Sequence, residues 1–392
     1  MRYAYTYDDA GNITVKDTEH GVYNYGYDGL DRLTSAQYPT YNEVFNYDKV
    51  GNRTALNNST PWAYNINNEL TARPTITYQY DANGSQTQKT ENGIITDYVY
   101  DSSNRLIEVK QGTTIIASYQ HDPFGRRISK TVSGVTTYFY YTDEGLTAEA
   151  DSAGAGAITQ SYGYAPNSTW GTNPLYTSAN GSYHYYLNDH LGTPQQLAAK
   201  NGAKSWEAMY EAFGKATVTS SSVTNNLRFP GQYADAETGF HYNFHRTYDD
   251  QIGRYIKSDP IGKEGGINLF GYSSGSPIMH SDPRGLTAAA PAAAIALCVR
   301  SPAACGAIAL AICKSLGMCS TTVPETCEPE NDKCDLKFVR ELPSYDGVTK
   351  ACWYERKGVM FTFPQAVGYA CPPIDWERCM VDTSYIKSQA RY

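Results

Sequence analysis

"YVYDSSNRLIEV", residues 98–109, sets two tyrosines two positions apart, then an aspartate, then a short apolar return. The design recurs as "YTYDDAGNITVK", "YGYDGLDRLTSA", "FNYDKVGNRTAL", "YQYDANGSQTQK" and "YQHDPFGRRISK". The second aromatic falls at Tyr7, Tyr27, Tyr47, Tyr80, Tyr100 and His121, a beat of about 20 residues. The wide gap after Tyr47 holds a degenerate copy, "YNINNELT", beginning at Tyr64. Side chains alternate along a strand, so each Tyr-x-Tyr pair lies on one face. The aspartate can open a turn by accepting from its own backbone two residues on. Gly or Asn three residues later suits a left-handed position. Each unit therefore reads as a β-hairpin too small to stand alone, and neighbours must stack into a continuous sheet. The tyrosine ladder is expected to pack that sheet's own interior; rows of tyrosines docking sugars are the rival use.

Composition agrees. The chain has 35 Tyr and 33 Gly in 392 residues, and 30 of the tyrosines precede residue 287. Strand-favouring tyrosine and turn-favouring glycine make residues 1–286 mainly β. Residues 1–286 carry 21 Lys+Arg against 29 Asp+Glu, while the remaining 106 carry 11 of each. No basic face marks nucleic acid as a partner of the repeats. The N-terminus has no signal-peptide pattern, so export is expected to use another route.

After residue 140 the repeats decay into "YHYYLNDHLGTPQQLAAKNG" (183–202), "WEAMYEAFGKAT" (206–217) and "LRFPGQYADAETGFHYNFHRTYDDQIGRYIKSDPIG" (227–262). Then "GGINLFGYSSGSPIMHSDPRGL" completes a pair of Asp-Pro-x-Gly tetrads, Asp259–Gly262 and Asp282–Gly285. Asp-Pro-x-Gly is by itself an ordinary turn, with the Asp side chain as acceptor and Pro fixing φ. Two carboxylates held close also share a proton, giving one base and one acid, as in aspartic proteases. The residues alone leave both uses open. Arg254, five residues before Asp259, is a candidate to orient such a pair.

These core segments, with the Tyr-Asp repeats before them, resemble the Rhs/YD-repeat family of polymorphic toxins, relatives of the C components of Tc toxins. The resemblance covers residues 1–286. It implies a β-hairpin shell segment (1–182) and an Rhs core plug (183–286), followed by a variable effector tip (287–392). It further implies self-cleavage at the Leu286–Thr287 bond by Asp259 and Asp282, with no cofactor and no metal. Implied partners are the chain's own tip, an immunity protein, and a secretion-apparatus component or longer Rhs chain. The implied setting is interbacterial competition or host toxicity, with delivery through a type VI or comparable apparatus. The chain is expected to be the C-terminal portion of a longer shell. The rival readings are a carbohydrate-binding adhesin and an inactive orphan fragment.

The tip differs in character, and all nine cysteines lie there: Cys298, Cys305, Cys313, Cys319, Cys327, Cys334, Cys352, Cys371 and Cys379. It reads as a small α+β unit: two short apolar helices within 288–319, a candidate for membrane contact, then strands and loops. Without a Cys-x-x-Cys pair or any histidine after His280, a zinc finger or histidine-based nuclease is disfavoured. Disulfides are expected if the tip works in an oxidising compartment. The tip's own activity stays open.

Overall fold

The computed structural model describes residues 2–152 and 156–286, together with five strands of the tip between 337 and 381. The chain divides into two units, Met1–Leu316 and Gly317–Tyr392. Within the first, strands follow one another in sequence order, each antiparallel to the last. Six of them, β1 (Tyr3–Tyr7) to β6 (Arg53–Leu56), form one sheet. The next sixteen, β7 (Ala63–Tyr64) to β22 (Ala216–Ser221), form a second. Four short strands make a third: β23 (Tyr233–Asp235), β24 (Phe240–Asn243), β25 (Arg246–Asp249) and β26 (Arg254–Tyr255).

The aspartate turn expected from the repeat is present and carries more bonds than expected. Asp101 Oδ1 accepts from the backbone N–H of Ser103 at 2.9 Å and of Arg105 at 3.0 Å. Asp8, Asp28, Asp48, Asp81 and Asp122 accept from the residues two and four beyond them in the same way. The residue three beyond takes a left-handed backbone, as at Gly11 (φ 88), Asp31 (φ 59) and Asn104 (φ 56). In the degenerate copy Asn65 fills the aspartate's role toward Asn67 and Glu69. Asp189 fills it in the region that reads as decayed, toward Leu191 and Thr193.

One device escapes the sequence. The strand register slips at the second aromatic of the repeat, for example between Thr6 and Tyr7, and between Val99 and Tyr100. Such a bulge interrupts the ladder and leaves a backbone group to be satisfied elsewhere. The tyrosine of the following repeat does this: Tyr27 Oη donates to the Ile13 carbonyl at 2.9 Å, and Tyr47 Oη to Leu33 at 2.8 Å. Tyr100 reaches Gln86 at 2.9 Å and Tyr141 reaches Arg127 at 2.7 Å.

The first aromatics of the repeats point inward and pack the core. Tyr25, Leu33 and Phe45 cluster with Ala212 and Phe213; Tyr98 and Tyr119 with Phe240 and Ile256; Phe139 and Tyr162 with Tyr233 and Tyr242. Trp62, Leu70 and Tyr78 cluster with Ile252. Residues 227–286 are thus the filling against which the repeat sheets bury their apolar face, the feature that holds the site below. The first strands also meet the last turns: Tyr5 and His190 rings lie 5.0 Å apart, and the Ala212 N–H donates to Glu43 at 3.0 Å. Not every ring is buried; Tyr138, Tyr140, Tyr183 and Tyr185 stand on the opposite, exposed face.

In the second unit, β27 (Lys337–Pro343), β28 (Thr349–Arg356) and β29 (Val359–Ala366) form an antiparallel meander, and Ile374–Asp375 pairs with Met380–Val381. The helices expected in 288–319 lie outside the described residues. So do all the cysteines except Cys352, which sits on β28 opposite Glu341 and Phe363. Among the described residues no helix is long and apolar enough to cross a membrane.

Candidate functional site

The two tetrads reuse the repeat's turn. Asp259 Oδ1 accepts from the Ile261 N–H two residues on, at 3.0 Å. Asp282 Oδ1 accepts from the Leu286 N–H four residues on, at 3.0 Å. Gly262 (φ 62) and Gly285 (φ 67) occupy the left-handed position. At Gly285 two demands coincide, since a Cβ there would also stand 2.6 Å from the Asn243 carbonyl oxygen.

The structure brings Asp259 and Asp282 together on one guanidinium. Arg246, at the start of β25, places Nη1 3.0 Å from Asp259 Oδ2 and Nη2 2.8 Å from Asp282 Oδ2. All three side chains are buried, at 2–3% exposure, so this pair is removed from solvent screening. Arg246 Nε donates to the Gly285 carbonyl, and its guanidinium lies 3.6 Å from the Tyr255 ring centroid. The Tyr255 hydroxyl donates to Asp282 Oδ2 at 2.9 Å and accepts from Asn243 Nδ2 at 2.8 Å. Burial, and then the charge of Asp282, holds Tyr255 well above its ordinary pKa, in the donating form.

The candidate scissile residue is held at its amide and closely flanked at its carbonyl. Its N–H is bound by Asp282, as above. Its carbonyl oxygen and Asp259 Oδ2 both lie within 2.6 Å of a single point, the position a Cβ would take on Gly265. Burial pushes the Asp259 carboxyl above its ordinary pKa. Arg246 and the Ile261 amide pull it down, Asp282 raises it, Lys257 lowers it, and the balance stays upward. A carboxyl whose pKa is raised beside a peptide carbonyl is suited to serve as a general acid. Around the pair, Lys257 is lowered to about 8 by burial and then by Arg246. His245 is lowered to about 4, mainly by burial and then by Lys257.

Arg254 stands elsewhere. Its Nη2 donates to the Asn68 carbonyl at 2.6 Å, and its guanidinium lies 5.0 Å from the ring centroids of Tyr64 and Phe270. It fastens the core to the repeats, and the arginine that joins the carboxylates is Arg246. The strand alternation is the reason: in β26 Arg254 and Tyr255 face opposite sides, and it is Tyr255 that faces the pair. Sequence reading also missed Tyr255 and Gly265. The available signal for Arg246 was a lone cation in the aromatic run "FHYNFHRTY". Thr287 lies outside the described residues. Among those described, no cluster of three or more His, Cys, Asp or Glu could hold a metal ion.

Comparison with known proteins agrees with this architecture. The teneurin YD-shell family matches residues 1–264. The chain belongs to the Rhs/YD-repeat family. It is 30% identical over 318 residues to double-stranded DNA deaminase toxin A of Burkholderia cenocepacia (strain H111), covering 72% of this chain and 22% of that protein. It is 29% identical over 301 residues to the tRNA3(Ser)-specific nuclease WapA of Bacillus spizizenii, covering 72% of this chain and 11% of that one. This chain therefore spans less than a quarter of the length of either relative. The crystal structure of TcdB2-TccC3-TEV matches with a TM-score of 0.39 and 18% identity, covering 72% of this chain and 19% of that one.

Proposed function

We propose that this chain is part of a toxin-delivery protein, and that it frees its own tip by cutting the Leu286–Thr287 bond. Residues 1–182 are the repeat shell, 183–286 the core plug and 287–392 the effector. The protein is made in a bacterial cytoplasm and delivered to a competitor or a host through a type VI or comparable apparatus. Its toxin relatives support the delivery reading. The observation that carries the cutting is the seating of Leu286, with Asp282 on its amide and Asp259 beside its carbonyl.

The step is hydrolysis in cis. Water adds to the Leu286 carbonyl carbon. Asp282 takes the water's proton, and protonated Asp259 gives its own to the carbonyl oxygen. Collapse of the tetrahedral intermediate breaks the carbon–nitrogen bond; the proton on Asp282 passes to the Thr287 nitrogen, and a hydroxyl of the intermediate returns one to Asp259. A carboxyl remains at Leu286 and a free amine at Thr287. Arg246 and Tyr255 fix Asp282, and tethering the peptide four residues after it replaces substrate binding with proximity.

Intact-mass spectrometry of the purified chain tests this beside Asp259→Asn and Asp282→Asn. The native protein should yield a fragment beginning at Thr287, absent from both variants. A native chain that stays whole would overturn the reading.

A further inference from the structure

The loop Gly262–Gly266 holds three glycines, and they serve different needs. Gly262 and Gly266 take positive φ values of 62 and 134, and a Cβ on either would meet nothing within 4 Å. Gly265 is the reverse. Its backbone lies outside the left-handed region, so any residue could adopt it, but the space beside it is taken. A Cβ there would fall 2.6 Å from the Leu286 carbonyl oxygen, 2.8 Å from Asp259 Cγ, and closer still to Asp259 Oδ2. Non-bonded carbon contacts sit at roughly 3.5–4.0 Å, so even a methyl group must displace a neighbour.

Both neighbours belong to groups tied nearby. Asp259 is tied by Arg246, by the Ile261 N–H and through its own N–H to the Leu269 carbonyl. Leu286 is tied by Asp282, and the residue before it by Arg246. Gly265 follows the first tetrad and Leu286 follows the second, so this contact joins the exits of the two turns.

We propose that Gly265 is a positioning residue: its bare Cα is the wall that seats the Leu286 carbonyl against Asp259. This rests on the self-cleavage reading for its consequence, though the seating itself does not. A methyl at 265 would separate carbonyl from carboxyl while leaving the loop backbone unstrained. A misplacement of about 1 Å at a reacting pair costs roughly 100-fold in rate.

The test compares Gly265→Ala with Gly112→Asn, a repeat-hairpin glycine at φ 58 with open space around it, where Asn tolerates the left-handed backbone. Two readouts are taken on the full chain. The first is the rate at which the Thr287 fragment appears. The second is hydrogen exchange at the Leu286 amide, measured in the uncut Asp259→Asn background so that all chains are whole. Gly265→Ala should slow cutting about 100-fold and speed exchange at Leu286, while Gly112→Asn matches the native chain in both. Native-rate cutting in Gly265→Ala would overturn the proposal. If no chain cuts, the self-cleavage reading fails and exchange alone decides the seating. Unchanged protection at Leu286 in Gly265→Ala would then overturn it, and faster exchange confined to that variant would uphold it.

Discussion

The turn at Asp101 and the turn at Asp282 are built alike, and they differ in where the second carboxylate oxygen goes. At Asp101, Oδ2 meets the Arg105 side chain four residues on, 2.7 Å away, with both groups partly in solvent. At Asp282, Oδ2 meets Arg246 and Tyr255 from other strands, out of solvent. At Asp259, Oδ2 meets the same Arg246. In the repeats Asp8, Asp28, Asp48, Asp101 and Asp122 thus each have a cation or side-chain amide four residues on, within the turn. In the core two aspartates share one cation.

The consequence shows in the carboxyls. Burial is the largest single effect on Asp101 and Asp28 and raises both, but the local arginine and the turn amides together outweigh it, and both lie below the ordinary range. Asp259 ends above it, because burial is larger and Arg246 is shared. The signs follow by linkage. Asp101 and Asp28 stabilise the fold above their unfolded pKa and lose that contribution as pH falls through their folded values. Asp259 does the opposite, costing stability as pH rises through its unfolded value toward its higher folded one. On the proposed reading, the same turn is structural in one setting and reactive in the other.

The strongest way to break this comparison is to neutralise one aspartate from each setting. Asp259→Asn and Asp282→Asn should each slow the appearance of the Thr287 fragment by on the order of 10²–10⁴-fold. Asp101→Asn should leave that rate unchanged. Equal loss in all three would make the core turns no different from the repeat turns.

Next in size is the shared cation. Arg246→Met leaves two buried carboxylates uncompensated and should destabilise residues 1–286 by about 3–5 kcal/mol in denaturant unfolding. Arg105→Met, which removes a partly exposed partner, should cost less than about 1 kcal/mol. A smaller effect is expected at the bulge staple. Tyr100→Phe deprives the buried Gln86 carbonyl of its donor and should cost about 1–3 kcal/mol by the same measurement.

The smallest is a shift in pH profile. Cutting should decline as pH rises through the raised Asp259 value, because the proton-donating form is lost. Lys257→Met removes a cation that favours the ionised form, so the alkaline limb should move to higher pH by less than about one unit. Movement to lower pH would assign Asp259 another role.

Much of this was legible in the residues. The hairpin unit, its aspartate turn and its left-handed third position follow from "YVYDSSNRLIEV", because they depend on local spacing. The pairing of Asp259 with Asp282 was legible only through family resemblance, since their sequence separation says nothing of distance. The arginine was misplaced for a physical reason: proximity in sequence favoured Arg254, but strand alternation turns it toward Asn68 and the repeats. Gly265 was illegible because an absent side chain shows its purpose only once its neighbours are in place.

The tyrosine hydroxyls carry a consequence for synthesis. Each completes a carbonyl in the repeat before it, 14 residues back at Tyr27, Tyr47, Tyr100 and Tyr141. The dependence runs in one direction along the chain. A hairpin leaving the ribosome stays one bond short until its successor emerges, a lag of about 1–3 s at ordinary translation speed. The shell would therefore zip from its N-terminal side, each tooth locked by the next.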